Sequence, residues 1–505
     1  MPHNMSGCDR NHRSENASVK RGPSSGYGSK MARGLSITLS SYVFSRLINF
    51  LTTVGLARLL SPADMGLVAT ALLIVYFVDV ARDFGLRDAI VFEPTGTAET
   101  LATAFYLVLG LSAIQATATL AVSGVLAGGF DRHQLGELLA VMAFFFPVQA
   151  AGAIHESILL RLMRFNEVAV AEILGVTSKA LVTFLTVFLG FGPTSFAIGH
   201  LTGSVIRSTF ILWRPDMPKF VGAPFSRDRA RSLLGYGVNI FVTGLVFVLR
   251  MRSDQAAIAV WVGEIALAGY FLASRLPEIM ISGINGAITR VVFPSFIEAG
   301  RYESGLQRIF LSTIHGCMAL IAPISIGISV VASDLVPLVF GESYEYAAPA
   351  LVFLALIGIP QTLGWTIGDL LKATGRPRTL MIVNIVEAAI IVPVLWTVAA
   401  IFKDLTAIAI ALFVCECLAG IARVVVTHAI GVASITQVVA AVLRPATFAL
   451  LMGAGVLFVQ GLADVSRVAS LALATTVGIA MYAALMVLFD AEAVRKVRDF
   501  LRKAN

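Results

Sequence analysis

The sequence predicts an all-α polytopic membrane protein with about fourteen transmembrane helices. Apolar residues make up 57% of its 505 residues and charged residues only 14%, whereas a soluble domain carries roughly 25% charged residues. The mean hydropathy is +0.84. Apolar windows of about 20 residues, the length that crosses ~30 Å of hydrocarbon, recur along almost the whole chain. A membrane barrel would instead show short alternating segments separated by turns.

Each apolar window is assigned to one spanning helix, because polar or glycine-containing turns separate the windows. The connections between spans are short, and none exceeds roughly twenty residues, whereas a folded domain needs about 50. No folded extramembrane domain is therefore expected. The predicted spans are 34–60, 66–86, 102–127, 138–160, 168–190, 194–213, 233–261, 266–293, 308–332, 348–371, 379–401, 405–427, 441–462 and 467–489.

Basic residues predict the orientation of these spans, because Lys and Arg concentrate in cytoplasmic loops. If the N-terminus is inside, the inward segments hold Arg161, Arg164, Arg214, Lys219, Arg227, Arg229, Arg231, Arg301, Arg308, Lys372, Arg376, Arg378 and Arg444. The outward segments hold only Arg58, Arg132, Lys403 and Arg467. Both termini are therefore expected in the cytoplasm. The net charge of +7 is interpreted as a topology signal, and no basic patch with interleaved aromatic residues indicates nucleic-acid binding.

The two ends of the chain are polar and carry further basic residues. Residues 1–33 are rich in Gly, Ser and Asn, which predicts a disordered cytoplasmic tail. Residues 490–505 form a second basic tail that is expected on the same side of the membrane. Met31 is an alternative start of translation, since "MARGLSITLS" leads directly into the first span.

Internal repetition divides the spans into two halves. A shift of 203 residues places Gly66 on Gly269, and a shift of 213 residues places Pro147 on Pro360. An even number of spans in each half predicts two lobes related by an axis along the membrane normal, a transporter architecture with its site between the halves. The expected units are an N-lobe at 34–213, a cytoplasmic linker at 214–232, a C-lobe at 233–428 and two appended spans within 441–489.

Four stretches carry a family resemblance: "ARLLSPADMGLVAT" (57–70), "LRLMRFNEVAVAEILG" (160–175), "DLVPLVFGESYEYAAPAL" (334–351) and "LLKATGRPRTLMIVNI" (370–385). They resemble the signature turns of Wzx-type polysaccharide flippases, which belong to a superfamily that also contains multidrug exporters and the peptidoglycan-precursor flippase. The resemblance implies a V-shaped, two-lobed fold with a hydrophilic central cavity. It also implies translocation of undecaprenyl-pyrophosphate-linked sugar units from cytoplasm to periplasm.

A charged face ends the second apolar window. Asp79 lies three residues before Arg82 and four before Asp83, so the three share one face of a helix. One interpretation is a helix end near the cytoplasmic interface, where charges pair locally or reach the head groups. The other is a cavity wall, because charge inside a membrane persists where it faces water or an opposite charge. Asp79 lies a turn deeper than the rest and could serve both roles.

Buried basic residues are the stronger candidates for a substrate site. Arg46 lies near the centre of the first span, and a shift of 203 residues places it beside Arg250 in the seventh span. A pyrophosphate needs fixed cations in a low-dielectric cavity, and the planar guanidinium group matches phosphate oxygens. The competing interpretation is structural pairing between helices. The residues expected in a substrate cavity are Arg46, Arg250, Arg252, Arg275, Arg207 and Lys179.

Buried carboxylates could pair with these cations or carry a coupling ion. The shift of 213 residues aligns Glu156 with Asp369, near the inner ends of spans four and ten. A carboxylate there could carry protons or cap a helix end toward a basic turn. The candidates for coupling or pairing are Asp79, Asp254, Glu278, Asp369 and Glu416. No metal site and no cofactor are expected.

Enzymatic signatures are absent from the sequence. There is no GxxxxGK[ST], no HExxH and no GxSxG in a strand–turn–helix context. The function that the resemblance implies, and that is favoured here, is flipping of lipid-linked oligosaccharide in the bacterial inner membrane, for exopolysaccharide, capsule or lipopolysaccharide O-chain assembly. The expected partners are that substrate, membrane lipids, a polysaccharide polymerase and a chain-length regulator. The alternatives are an ion-coupled multidrug antiporter of the same fold and a membrane polymerase that acts on lipid-linked sugars.

Overall fold

The computed structural model describes residues 24–82, 84–87, 90, 97–129, 132–214, 220–299, 305–462 and 466–490. Within these ranges every regular element is a helix. The helices are α1 (Ser24–Leu59), α2 (Pro62–Asp79), α3 (Ala98–Gly129), α4 (His133–Ala143), α5 (Phe145–Arg161), α6 (Phe165–Phe188), α7 (Thr194–Leu212), α8 (Arg227–Trp261), α9 (Glu264–Ala299), α10 (Gly305–Val330), α11 (Ala332–Phe340), a 3₁₀ segment (Glu342–Ala347), α12 (Ala348–Leu356), α13 (Gly358–Ala373), α14 (Pro377–Phe402), α15 (Leu405–Ala429), α16 (Ile435–Leu462) and α17 (Arg467–Phe489).

The helices confirm the all-α fold class, and each predicted span falls on one helix or on a broken pair. Eleven helical segments of the described chain are long and apolar enough to cross a membrane. The other three predicted spans, 34–60, 194–213 and 233–261, fall on α1, α7 and α8, which are not among the eleven. The total of fourteen therefore stays a prediction.

Two predicted spans are interrupted at equivalent places, each caused by a proline. Proline lacks the N–H that would bond the carbonyl four residues earlier. Pro147 removes the bond to Ala143, where α4 ends, and Pro360 removes the bond to Leu356, where α12 ends. The two prolines are those aligned by the shift of 213 residues. The repeat is thus visible in the backbone itself.

Two boundaries differ from the sequence prediction. Helix α1 begins at Ser24, so residues 24–33 are helical where disorder was expected; extending an existing helix gains one hydrogen bond for each residue that is fixed. Residues 1–23 and 491–505 lie outside the described part. Helix α2 ends at Asp79 rather than at residue 86. Phe84 and Gly85 adopt positive φ values of 47° and 68°, which a helix cannot continue.

The buried core is shared at one end of the molecule and divided at the other. At the predicted outer end one cluster joins both halves, from Leu56 and Met65 to Tyr270 and Phe340. At the predicted inner end two separate clusters occur. One surrounds Ile154 and also contains Phe220 of the linker and Leu233 of α8, while the other lies in the second half. The halves are therefore sealed together at the outer end.

Polar and close backbone contacts reinforce the outer seal. Arg132 pairs with Glu264 at 2.6 Å, and Arg58 donates to the backbone carbonyls of Leu338 and Val339. Helices α2 and α9 approach so closely that a Cβ at Gly66 would lie 2.5 Å from the carbonyl oxygen of Glu264. At the inner end, Phe84 stacks on Phe241 of α8 with ring centroids 4.5 Å apart. The two halves thus contact each other at both ends.

The last two helices are fixed to the second half. Helix α16 packs along α10, and α17 packs on α16. Asp334 accepts a hydrogen bond from Ser470 at 2.8 Å. At the opposite end His315 Nε2 lies 2.6 Å from Asp490.

The alternation of turns between the two ends leads to a topology prediction. We expect a reporter fused after Arg229 to be cytoplasmic and one fused after Glu342 to be periplasmic, because an odd number of predicted crossings separates them. Paired alkaline phosphatase and fluorescent protein fusions measure this. Both reporters on the same side would contradict the span count.

Candidate functional site

Two adjoining cavities lie among the helices of the second half. The smaller, of about 460 Å³, extends to Arg46 of α1 and Tyr76 of α2, so both halves contribute to its wall. The larger, of about 850 Å³, is bounded by α8, α13 and α14. The charged residues of the smaller cavity are Arg46, Arg250, Arg252, Asp254, Glu278 and Glu416. Four of the six predicted cavity cations therefore lie here or immediately behind its wall.

Three guanidinium groups converge on the carboxylate of Glu278. Arg275 donates to Glu278 Oε2 at 2.7 Å from one turn earlier in α9. Arg46 lies 3.8 Å and Arg252 3.9 Å from Glu278 Oε1. Arg252 also covers the ring of Tyr76, with the guanidinium carbon 4.5 Å from the ring centroid. We call these four charged residues the Glu278 cluster; within it, cations outnumber the carboxylate.

The Glu278 cluster is partly accessible to solvent. The Arg46 side chain is 43% exposed, and its guanidinium lies beside the ring of Tyr42. Asp254 adds a second carboxylate to the cavity, but it accepts hydrogen bonds from Tyr270 and from the backbone N–H of Gln255, both at 2.8 Å. Even with Asp254 counted, the three arginines of the Glu278 cluster outnumber the two carboxylates, so an excess of positive charge remains.

A second cluster is buried and balanced. Arg250 of α8 pairs with Glu416 of α15 at 2.6 Å and lies 3.5 Å from Glu387 of α14. Arg423 also pairs with Glu387. We call these four residues the Arg250 cluster. Two arginines face two glutamates, all nearly excluded from solvent, so the cluster joins three helices without a net charge.

Three further predicted residues, Arg207, Lys179 and Asp79, lie outside both cavities. Arg207 bonds Glu156 at 2.9 Å and Glu172 at 3.1 Å, and Lys179 donates to Asn49 at 3.0 Å. Asp79, the last residue of α2, accepts from Arg82 Nε at 2.6 Å. This local pairing matches the helix-end interpretation, while Asp83 lies outside the described residues.

Asp369 occupies the wall of the larger cavity. Its carboxylate is buried and lies 3.5 Å from the ammonium of exposed Lys372. Its repeat equivalent, Glu156, is also buried and pairs with Arg87 at 2.9 Å as well as with Arg207. Both carboxylates thus pair with basic residues.

The sequence analysis did not identify Glu387, Gln361 or Trp365 as residues of the site. Glu387 lies inside the apolar run of α14, and an ionisable residue at that depth is itself a signal of function or pairing. Gln361 and Trp365 line both cavities, but nothing in their local sequence distinguishes them. Among the described residues, no group of three or more His, Cys, Asp or Glu could hold a metal ion.

Comparisons with known proteins agree with this architecture. The profile of a family described as "Polysaccharide biosynthesis protein" matches residues 55–349, more than half of the chain. The chain is 24% identical to the lipopolysaccharide biosynthesis protein WzxC of Escherichia coli over 67% of its own length and 69% of that protein. It is 28% identical to the succinoglycan biosynthesis transport protein ExoT of Rhizobium meliloti over 61% of its length and 62% of that protein.

A solved structure shares the fold. The lipid II flippase MurJ in an inward closed conformation superposes with a TM-score of 0.72. The match covers 90% of this chain and 99% of that one at 15% identity. At this identity the likeness shows the fold alone.

The Arg250 cluster leads to a stability prediction. Arg250→Ala should leave Glu416 buried without its partner, at a cost of roughly 3–5 kcal/mol, and should lower both membrane abundance and melting temperature. The double variant Arg250→Met/Glu416→Leu should recover much of the loss, since the Arg423–Glu387 pair stays balanced. Arg46→Ala, at an exposed position, is the control. Equal abundance of Arg250→Ala and wild type would contradict the structural role.

Proposed function

From the premise that the chain belongs to the polysaccharide biosynthesis protein family, we propose that it flips undecaprenyl-pyrophosphate-linked oligosaccharide units across the bacterial cytoplasmic membrane. The product would serve exopolysaccharide, capsule or lipopolysaccharide O-chain assembly, as the names of the E. coli and Rhizobium relatives suggest. Both termini would then be cytoplasmic. A polymerase and a chain-length regulator are the proposed protein partners.

The Glu278 cluster is the observation that carries this proposal. Three guanidinium groups from α1, α8 and α9 share the carboxylate of Glu278, so an anionic pyrophosphate would supply negative charge that this carboxylate does not. A planar guanidinium group donates hydrogen bonds to two phosphate oxygens at once. The same positive excess disfavours a cationic drug as the transported molecule. Helices of both halves supply the arginines, so movement of the halves would move the bound anion.

The packing supports loading from the cytoplasmic side. One core seals the outer ends of the two halves, whereas the inner ends have separate cores. Breaking the outer seal and closing the inner end would expose the Glu278 cluster to the periplasm. Such rocking of two lobes about a central site is a common mode of alternating access.

Deletion of the gene tests the class of function. Loss of a flippase should leave lipid-linked repeat units on the cytoplasmic leaflet and remove surface polymer. Repeat units that reach the periplasm without elongation would indicate a polymerase instead. Unchanged polymer with altered drug sensitivity would indicate an antiporter. Leaflet-resolved analysis of lipid-linked sugars separates these outcomes.

Single arginine variants test the site. Loss of a charge-assisted contact costs roughly 1.5–3 kcal/mol, and the exposure of Arg46 places Arg46→Ala near the lower limit, about a tenfold loss of affinity. We expect less surface polymer at normal abundance in Arg46→Ala and Arg275→Ala. The corresponding lysine variants should be milder, since they keep the charge.

Arg378→Ala is the matched control, because Arg378 is an exposed arginine outside both cavities. If the amount of surface polymer falls only in proportion to protein abundance, the proposal that these arginines bind the substrate is wrong. Equal loss in Arg378→Ala would show that any arginine lost from the chain has this effect.

A further inference from the structure

The proposed function uses the smaller cavity and leaves the larger one without a role. The larger cavity has a volume of about 850 Å³, within the ~300–1,000 Å³ of typical small-molecule sites. Its wall is mainly apolar and includes Val242 and Phe247 of α8 and Met381 and Ile385 of α14. These four side chains are exposed although they line the cavity, so the cavity is open along one side.

The larger cavity is continuous with the cation site. Five residues line both cavities: Phe247, Arg250, Met251, Gln361 and Trp365. The Arg250 cluster stands at this junction, because Arg423 lines the larger cavity and Glu416 the smaller one. Since its charges are mutually paired, an apolar chain that packs against the junction leaves no unpaired charge without water.

The opposite end of the larger cavity is polar. Asp369 and Lys372 lie there, close to the predicted cytoplasmic turn between α13 and α14. The path therefore runs from an interfacial end, through an apolar middle, to the arginines of the Glu278 cluster. This sequence of environments complements an amphiphile whose anionic group lies deep and whose hydrocarbon chain extends toward the inner leaflet.

We propose that the larger cavity holds the proximal part of the isoprenoid chain while the Glu278 cluster holds the pyrophosphate. This inference rests on the proposed function. A bilayer is as apolar as the cavity, so burial of the chain there adds little free energy over lipid. The cavity positions the chain, and so sets where the pyrophosphate lies. A phospholipid would bind in the reverse order, with its phosphate near Lys372.

Photolabelling tests the location of the chain. The probe is a farnesyl pyrophosphate analogue with a diazirine on its terminal isoprene unit, bound to the full-length protein in phospholipid vesicles. We expect labelled peptides from residues 242–251 and 380–385, and protection by excess inorganic pyrophosphate. Protection shows that the anion anchors the probe, which separates it from an ordinary membrane lipid. Labelling that is confined to α16 and α17, or that pyrophosphate does not reduce, would overturn the inference.

Neighbouring tryptophan variants provide matched controls. Met381→Trp and Ile385→Trp place a bulky ring in the cavity, whereas Ile382→Trp and Val386→Trp alter the adjacent exposed apolar positions that do not line it. Because each ring fills space that the chain would occupy, labelling and surface polymer should fall roughly tenfold in the first pair, about 1.4 kcal/mol of binding free energy. The second pair should resemble wild type.

The same experiments distinguish failure of the inference from failure of the proposed function. If deletion abolishes surface polymer and Arg46→Ala weakens protection by pyrophosphate, but all four tryptophan variants label equally, only the chain site is wrong. If deletion leaves lipid-linked sugars in their normal leaflet, the proposed function itself fails, whatever the labelling pattern.

Discussion

A charge inside a bilayer must meet an opposite charge or water, and this constraint governs the interior of the protein. Two solutions lie side by side. In the Arg250 cluster two arginines and two glutamates neutralise one another where water is nearly excluded. In the Glu278 cluster cations exceed carboxylates where a cavity admits solvent. The Arg250 cluster holds three helices of one half together. The Glu278 cluster keeps an excess of positive charge that can attract an anion.

The apolar cores of the protein also differ between its two ends. The predicted outer ends of both halves share one apolar core. Toward the predicted inner end the halves have separate cores, except that Leu233 of α8 packs into the core of the first half. A seal of this kind can open without loss of either half's internal packing. The ion pair between Arg132 and Glu264 adds to it at the surface, where water can solvate both groups once they separate.

Local signals explain what the sequence could predict. Hydropathy located the helices. The two helix breaks were not predicted, although the repeat aligned Pro147 with Pro360, and each proline removes a hydrogen bond to the carbonyl four residues earlier. The ion pairs between helices could not be predicted from the sequence. Glu387 meets Arg250 and Arg423 only through the packing of α8, α14 and α15. Likewise, Arg207 and Lys179 looked equivalent to Arg46 by depth, yet helix orientation turned them toward partners outside the cavities.

The positive excess of the Glu278 cluster has an energetic consequence for a transport cycle. Moving one elementary charge through the full membrane potential is worth ~2.3 kcal/mol per 100 mV. A cluster that has released its anion is positive, and a potential negative inside draws it back toward the cytoplasm. With a pyrophosphate bound, the positive charge is offset and the field opposes outward movement less. The arrangement of arginines would thus let the electrical field favour the return step of the cycle.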